Sequence, residues 1–104
     1  MASKNTTTRT SSKIESEKYL DKLLVKTVKD NEGLCIKLVT THFTGLPDRL
    51  CLLPGGRIFF AEIKTTNKKP RKIQSVVHSK LRGLGFDVFV IDNSDFIKSL
   101  FKMD

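Results

Sequence analysis

The turn Pro54-Gly55-Gly56 is the feature that most restricts how this chain can fold. It separates two runs, 48–53 and 57–64, that are rich in branched, aromatic and other apolar side chains. Proline and glycine between two such runs predict a β-hairpin, because these residues favour tight turns and interrupt strands. The sequence therefore predicts two neighbouring antiparallel strands in the middle of the chain.

The number of residues in the hairpin loop decides which side chains face each other. With a three-residue loop Leu53 pairs with Arg57, and counting back along both strands places Asp48 opposite Glu62. A two-residue loop would shift the register by one and turn Asp48 to the other face. We therefore predict a three-residue loop if the two carboxylates act together.

Apolar periodicity and capping residues predict the other elements. In chain order we expect a helix over 14–30, a buried strand over 34–41, the hairpin strands, a helix over 70–84, a strand over 86–91 and a helix capped by Ser94 that runs to about 102. The order α-β-β-β-α-β-α predicts an α/β fold, with a central mixed sheet flanked by helices and a short C-terminal helix.

The helix over 70–84 has a predicted apolar stripe that ends before Gly85, a typical residue for the C-terminal turn. Gln74 flanks this stripe, so its amide is expected to reach inward, the alternative being a solvent-facing polar residue. His78 points away from the stripe and is expected to face solvent. The stripe consists of Ile73, Val76, Val77, Leu81 and Leu84.

Composition predicts one small basic domain. The chain has 104 residues, 38% of them hydrophobic, and a formal net charge of +8 that favours polyanions, nucleic acid before anionic lipid. Residues 1–12 contain seven Ser and Thr and are expected to form a disordered polar tail before a single domain over 13–104.

No apolar run approaches the ~20 residues of a membrane span, and no signal peptide is evident. We expect a cytoplasmic protein without membrane association.

Cys35 and Cys51 are the only cysteines, and both lie within apolar stretches. This pattern favours two reduced thiols in the cytosol over a disulfide in a secreted protein. A zinc site is not expected, because only His42 and His78 are available to supplement the two thiols.

The second hairpin strand carries the residues most suited to chemistry. Glu62 and Lys64 project from the same face at its end, with Asp48 predicted opposite them. Two opposed carboxylates repel unless a cation lies between them, and such oxygen ligands suit Mg²⁺ or Mn²⁺. Lys64 would then orient or deprotonate a metal-bound water. The alternative is a set of ordinary ion pairs at a strand end.

These motifs together resemble the VRR-NUC (virus-type replication-repair nuclease) branch of the PD-(D/E)XK nucleases, in the stand-alone phage or prophage form. The resemblance covers nearly all of the chain after the tail and implies a restriction-endonuclease-like core. The matching segments are Glu17-Lys18-Tyr19-Leu20, GLPDRLCLLPGGRIFFAEIK at 45–64, Gln74, and LRGLGFDVFVID at 81–92.

The resemblance also implies roles for individual residues. Asp48 and Glu62 would bind the metal together with the carbonyl of Ile63, and Lys64 would assist the hydrolytic water. A glutamate on the first helix and a glutamine after the E-x-K motif would complete the catalytic set. These two are Glu17, acting directly or through water, and Gln74.

Helical geometry supports Glu17 over Glu15 for this role. At 100° per residue Glu17 lies within the stripe of Leu20 and Leu24, whereas Glu15 points roughly the opposite way. A carboxylate on an apolar stripe is costly unless it is paired or bound to a cation. The alternative is a glutamate that merely favours the helix dipole in a fraying first turn.

A basic run directly after the E-x-K motif is expected to contact DNA phosphates. Such contacts are independent of sequence and sensitive to salt. The alternative is a solvated loop. The candidates in the run are Lys68, Lys69, Arg71 and Lys72, and Arg49 and Lys37 are weaker candidates outside it.

The resemblance implies a Mg²⁺- or Mn²⁺-dependent structure-specific endodeoxyribonuclease that leaves a 5′-phosphate and a 3′-hydroxyl. Similarity to Holliday-junction resolvases suggests a homodimer acting on branched DNA, with an apolar interface formed by the last helix. A flap-cutting or nicking nuclease of phage replication, repair or packaging remains an alternative. So does a non-catalytic basic DNA-binding protein on the same fold. The interface residues would be Phe96, Leu100 and Phe101, with Ile14 or Tyr19.

Overall fold

A four-stranded mixed sheet with helices on both faces forms the protein. The computed structural model describes residues 13–102, so the predicted tail over 1–12 lies outside the described residues. The elements are α1 (Glu17–Asp30), β1 (Leu34–Lys37), β2 (Arg49–Leu53), β3 (Arg57–Ile63), α2 (Lys72–Gly83), β4 (Asp87–Ile91) and α3 (Ser94–Leu100). The strands lie in the order β1-β2-β3-β4, antiparallel except for the parallel pair β3–β4. The predicted α/β architecture is confirmed.

The hairpin has the three-residue loop on which the predicted site depends. Leu53 pairs with Arg57 across a turn over Pro54–Gly56. Gly55 and Gly56 have φ values of 81° and 78°, a left-handed region that glycine enters without a steric penalty. Arg49 pairs with Ala61, so Asp48, which directly precedes β2, lies opposite Glu62. The predicted register is therefore confirmed.

Strand alternation divides the sheet into two different faces. On one face the side chains of Phe59, Ala61 and Ile63 pack against α1 and α3 and form the core. α1 contributes Leu20, Leu24 and Val28, all fully buried, and Ser16 caps this helix by accepting a hydrogen bond from Tyr19 N. The other face, which includes Glu62 and Phe60, is covered by α2 mainly at the β4 edge.

The first strand differs from its prediction. β1 has four residues instead of eight, and Leu34 and Ile36 are 64% and 40% exposed, so it is not a buried strand. The reason is its position at the edge of the sheet. The covering helix α2 contacts mainly β4, at the opposite edge.

The buried face of α2 also differs from the predicted stripe. Gln74, Val77 and His78 are buried, whereas Ile73 and Val76 are about half exposed. His78 is 1% exposed, so the prediction that it faces solvent is wrong. Apolar periodicity misplaced this face because α2 covers the polar end of the sheet, where Glu62 offers a hydrogen-bonding partner to Gln74.

The helix ends are close to their predictions. α2 begins at Lys72, two residues after Pro70, and ends before Gly85, which has a φ of 99°. Gly85 N donates to Arg82 O and Phe86 N donates to Leu81 O, the Schellman pattern. α3 is capped by Asn93, one residue before the predicted Ser94. Within residues 13–102 no helix has the length and apolarity needed to cross a membrane.

Candidate active site

Asp48 and Glu62 meet where β2 begins and β3 ends. The Asp48 carboxylate accepts a hydrogen bond from Ile63 N at 2.9 Å, and its carbonyl accepts one from Leu38 N at 2.9 Å. Because both contacts involve the backbone of neighbouring segments, they fix Asp48 in place. The other carboxylate oxygen of Asp48 remains available for a ligand.

Glu62 is a buried carboxylate with one satisfied and one unsatisfied oxygen. Its side chain is 1% exposed, and Oε2 accepts a hydrogen bond from Gln74 Nε2 at 2.6 Å and forms an ion pair with Lys64 Nζ at 3.2 Å. Oε1 is buried without a hydrogen-bond partner among residues 13–102. Burial and the negative charge of Asp48 raise the pKa of Glu62, although Lys64 and Gln74 oppose the shift.

Gln74 occupies the first turn of α2, and its orientation follows from two hydrogen bonds. Its Oε1 accepts from Arg71 N at 3.0 Å, which leaves Nε2 free to donate to Glu62. An amide that reaches back to the helix start in this way is typical of a capping residue. The predicted inward orientation of Gln74 is confirmed, and the helix end thereby fixes Glu62.

A cleft of about 250 Å³ opens at the same end of the sheet. Glu17, in the first turn of α1, lines it together with Asp48 and Ile63. Glu62, Lys64 and Gln74 instead form a hydrogen-bonded cluster on the α2 face. Asp48 belongs to the cleft and faces Glu62, so it joins the two halves of the predicted set. The complete lining is Glu17, Lys18, Asp21, Lys37, Leu38, Asp48, Arg49 and Ile63.

Arg49 makes a contact that the sequence analysis missed. Its Nε and Nη2 donate to the two carboxylate oxygens of Asp21 at 2.9 and 2.7 Å. Asp21 lies four residues after Glu17 on the same face of α1, and this spacing was a signal that could have identified it. The guanidinium that was considered for DNA contact is therefore engaged with a carboxylate.

The basic candidates fall into two groups. Lys68, Lys69, Arg71 and Lys72 are exposed in the segment that leads from β3 into α2. Lys37 lines the cleft, and so does Lys18, which the sequence analysis did not single out.

His78 is a further polar group near the site. It follows Gln74 by one helical turn and is 1% exposed, and its Nε2 has no hydrogen-bond partner among residues 13–102. Burial and the charge of Arg82 lower the pKa of His78, so the imidazole is neutral at pH 7. Its spacing of four residues from Gln74 was the available sequence signal.

The donor atoms at this strand end suit a hard divalent cation. Asp48 and Glu62 provide facing carboxylates. Oε1 of Glu62 is buried without a hydrogen-bond partner among the described residues, and a bound cation would be a partner for it. Among the described residues no three His, Cys, Asp or Glu side chains are grouped as a complete ligand set. Mg²⁺ commonly uses one or two carboxylates and keeps several waters, so two carboxylates and a carbonyl are sufficient.

Comparison with known proteins adds two relatives, although no family model matches the chain. A protein named "Putative nuclease p44" from Acyrthosiphon pisum secondary endosymbiont phage 1 is 39% identical over 79 residues, which cover 76% of this chain and 85% of that protein. A solved structure described as a VRR_NUC domain matches with a TM-score of 0.77 and 31% identity, over 83% of this chain and 95% of the other.

The chain belongs to the VRR-NUC family. Its four-stranded mixed sheet with flanking helices is the restriction-endonuclease-like fold implied by the sequence resemblance. As in that resemblance, the hairpin of this VRR-NUC protein carries the acidic residues, and the following helix carries the glutamine.

Proposed function

We propose that the protein hydrolyses DNA phosphodiester bonds as a Mg²⁺- or Mn²⁺-dependent endonuclease. The observation that carries this proposal is the facing pair Asp48 and Glu62, with Glu62 Oε1 buried and unpartnered beside a cleft. A carboxylate whose pKa is raised by burial and by a neighbouring carboxylate is typical of a functional site. Membership of a nuclease family supports the same activity.

The proposed metal ligands are Asp48, Glu62 and the carbonyl of Ile63, with Glu17 contributing across the cleft directly or through water. A bound divalent cation would lower the pKa of a coordinated water and neutralise charge on the phosphate. The protein's own part is positional. Gln74 and Lys64 hold Oε2 of Glu62, so that Oε1 remains directed away from them.

Lys64 is proposed to act on the hydrolytic water and the scissile phosphate. Its side chain is 16% exposed and its Nζ lies 3.2 Å from Glu62 Oε2, so a carboxylate fixes the ammonium beside the proposed metal. A fixed cation of this kind stabilises the charge that develops during phosphodiester hydrolysis. The products expected for this family are a 5′-phosphate and a 3′-hydroxyl.

Positive side chains next to the site are proposed to bind the DNA backbone. The exposed run Lys68, Lys69, Arg71 and Lys72 directly follows the E-x-K motif, and Lys37 lines the cleft. Phosphate contacts position the duplex without reading its sequence. Preference for branched DNA would then come from the arrangement of two copies.

We also propose a homodimer, with an interface different from the one expected on the last helix. Phe96, Leu100 and Phe101 are partly buried against the core, which leaves less of their apolar surface for a partner. The sheet face opposite the core is covered mainly beside β4, and away from that edge it leaves apolar side chains at least partly exposed in two cross-strand rows. One row is Leu34, Leu52 and Ile58, and the other is Ile36, Leu50 and Phe60.

This open sheet face fits a second copy of the chain. Leu34, Ile36, Ile58 and the adjacent Phe86 are 39–64% exposed. They present roughly 300 Å² of apolar surface, a patch size that marks interaction sites. With a polar rim, two copies would bury about 1,000 Å², the least expected of a specific interface. Residues 1–12 contain no large apolar side chain after Met1 to cover this face.

Cleavage assays test the proposed activity. Labelled four-way junction, 5′-flap, nicked and linear duplex DNA would be incubated with Mg²⁺, Mn²⁺ or EDTA, using wild type, Asp48→Asn and the surface control Asp30→Asn. Metal-dependent paired incisions in the junction, lost only in Asp48→Asn, support a dimeric resolvase. Cleavage of flaps or nicked duplex instead keeps the nuclease and removes the resolvase. DNA binding without cleavage favours a non-catalytic binding protein.

Light scattering at micromolar concentration tests the dimer separately. Ile58→Lys places a charge in the open sheet face and is expected to convert a dimer into a monomer. Val39→Lys, at a site 80% exposed in the segment after β1, is the matched control and should leave the mass unchanged. A monomeric wild type, or a dimer that Ile58→Lys does not affect, would contradict this interface.

A further inference from the structure

The Asp21–Arg49 pair is the strongest polar contact at the cleft that has no part in the proposed chemistry. It is a bidentate fork at 2.9 and 2.7 Å, and the two side chains are 33% and 14% exposed. A planar guanidinium that meets both oxygens of a carboxylate fixes direction as well as distance. The pair is therefore suited to holding two elements in one relative position.

Its location joins the two sides of the site. Asp21 follows Glu17 by four residues, so the two carboxylates lie on one face of α1. Arg49 directly follows Asp48, and alternation along β2 directs the two side chains to opposite faces. The fork consequently links the helix that carries Glu17 to the strand end that carries Asp48, and all four residues line the same cleft.

Charge gives the pair a second effect. Without Asp21, the positive charge of Arg49 would stand one residue from Asp48 in the cleft that is proposed to receive a divalent cation. Asp21 neutralises that charge at contact distance. The ion pair thus keeps Arg49 attached to α1 and at the same time prevents its charge from repelling a metal ion.

We propose that Asp21 and Arg49 are positioning residues, which set the spacing between Glu17 and Asp48 and keep the guanidinium from opposing the metal. This inference rests on the proposed nuclease function. We call the Asp21–Arg49 pair the clamp. A positioning role for Arg49 differs from a phosphate contact, because the guanidinium is already bonded to Asp21 and does not bind DNA.

The chain offers a matched control on the same helix. Lys26 and Asp30 form an ion pair at 2.7 Å with side chains 72% and 57% exposed. Exposed pairs of this kind contribute little to stability. Asp30→Asn therefore removes one helical carboxylate and one ion pair without touching the cleft.

Four variants, Asp21→Asn, Arg49→Gln, the double variant and Asp30→Asn, test the clamp. Steady-state cleavage gives kcat and KM, and calorimetry gives the Kd for Mn²⁺ without DNA. We expect Asp21→Asn, Arg49→Gln and the double variant to lose about tenfold in kcat each, because a misplaced group lowers the rate and all three break one pair. Asp21→Asn alone should also raise the Kd for Mn²⁺ several-fold, and Asp30→Asn should change neither quantity.

Other patterns overturn the clamp. If Arg49→Gln leaves kcat unchanged, or if the losses of the single variants multiply in the double variant, the two residues do not act as one positioning pair. If Asp21→Asn tightens DNA binding and leaves kcat unchanged, Arg49 is a phosphate contact that Asp21 restrains.

Amide hydrogen exchange separates failure of the clamp from failure of the proposed function. A wild type that neither binds Mn²⁺ nor cleaves DNA would overturn the function. The clamp would then be judged from exchange over residues 17–21. Faster exchange there in Asp21→Asn and Arg49→Gln, but not in Asp30→Asn, supports it, and unchanged exchange overturns it.

Discussion

Two buried glutamates, Glu15 before α1 and Glu62 in β3, have different electrostatic surroundings. Glu15 and Glu62 are 7% and 1% exposed, and each has one carboxylate oxygen without a hydrogen-bond partner among the described residues. Glu15 Oε1 accepts from Ser94 N at 2.8 Å, whereas Glu62 faces Asp48. Both carboxylates accept a hydrogen bond through one oxygen, but only Glu62 also lies beside a like charge.

The pKa values shift in opposite directions as a result. Burial raises the pKa of Glu15, but the hydrogen bonds from Ser94 and the charges of Lys13 and Lys98 outweigh burial and leave it lowered. Burial and the charge of Asp48 leave the pKa of Glu62 raised. Burial alone therefore does not set the direction of the pKa shift, because the charges and hydrogen-bond donors around each carboxylate decide it.

Backbone contacts complete the structural role of Glu15. Its N–H donates to Thr66 Oγ1 at 2.8 Å, and its carbonyl accepts from Thr65 Oγ1 at 2.7 Å and from Thr66 N at 3.1 Å. These bonds tie the segment before α1 to the loop after β3, and the side chain adds the start of α3. Glu15 therefore joins three segments of the fold, whereas Glu62 retains an oxygen for a ligand.

The largest expected effect comes from removing the like charge beside Glu62. Asp48→Asn keeps an oxygen for the hydrogen bond from Ile63 N but removes a proposed metal ligand. We expect cleavage to fall by on the order of 10³-fold or more, and the pKa of Glu62 to fall towards its ordinary value. Carboxyl titration by NMR measures the second effect. An active Asp48→Asn enzyme, or an unchanged Glu62 pKa, would break the comparison.

Removal of the cation beside Glu62 should have the next largest effect. Lys64→Ala is expected to reduce kcat by about 10²-fold and to raise the pKa of Glu62 further, because the ammonium lowers it in the wild type. Lys68→Ala, in the exposed run, is the control and should change the salt dependence of DNA binding more than kcat. Equal losses of kcat in the two variants would argue against a special role for Lys64.

A smaller effect, on stability alone, is expected at the other glutamate. Glu15→Gln weakens a charge-assisted hydrogen bond, so the free energy of unfolding should fall by about 2 kcal/mol at neutral pH, with kcat unchanged. Because the pKa of Glu15 is lowered in the folded state, this stabilisation is present at pH values above its ordinary pKa of 4.5. It is lost as the pH falls through the lowered pKa. Urea unfolding of both proteins between pH 3 and 7 measures this. A difference between the two proteins that stays constant down to pH 3 would contradict the assignment.

Local patterns in the sequence were sufficient for the half of the site that lies on the hairpin. The turn residues determine the register, and the register places Asp48 opposite Glu62. The inward orientation of Gln74 was also predicted, from its position beside the apolar stripe of its helix.

The other features depend on packing between distant segments. Asp21 and Arg49 are 28 residues apart, and each taken alone is an ordinary charged residue on an element face. His78 was predicted to face solvent because periodicity counts apolar side chains, whereas α2 packs its polar side chains towards the charged end of the sheet. The side chains of α3 that were expected at an interface depend on the same kind of packing. Phe96, Leu100 and Phe101 are partly buried against the core.

The most direct test of the account is the unfolding free energy and cleavage rate of Glu62→Gln, measured beside Glu15→Gln. Because its pKa is raised in the folded state, Glu62 contributes to stability at pH values below its ordinary pKa. This contribution is lost as the pH rises through the raised pKa. At pH 7.5 the account therefore predicts that Glu62→Gln is at least as stable as the wild type, with cleavage reduced by on the order of 10³-fold, while Glu15→Gln is less stable and fully active. A Glu62→Gln protein that still cleaves DNA would contradict the central claim that this carboxylate forms the active site.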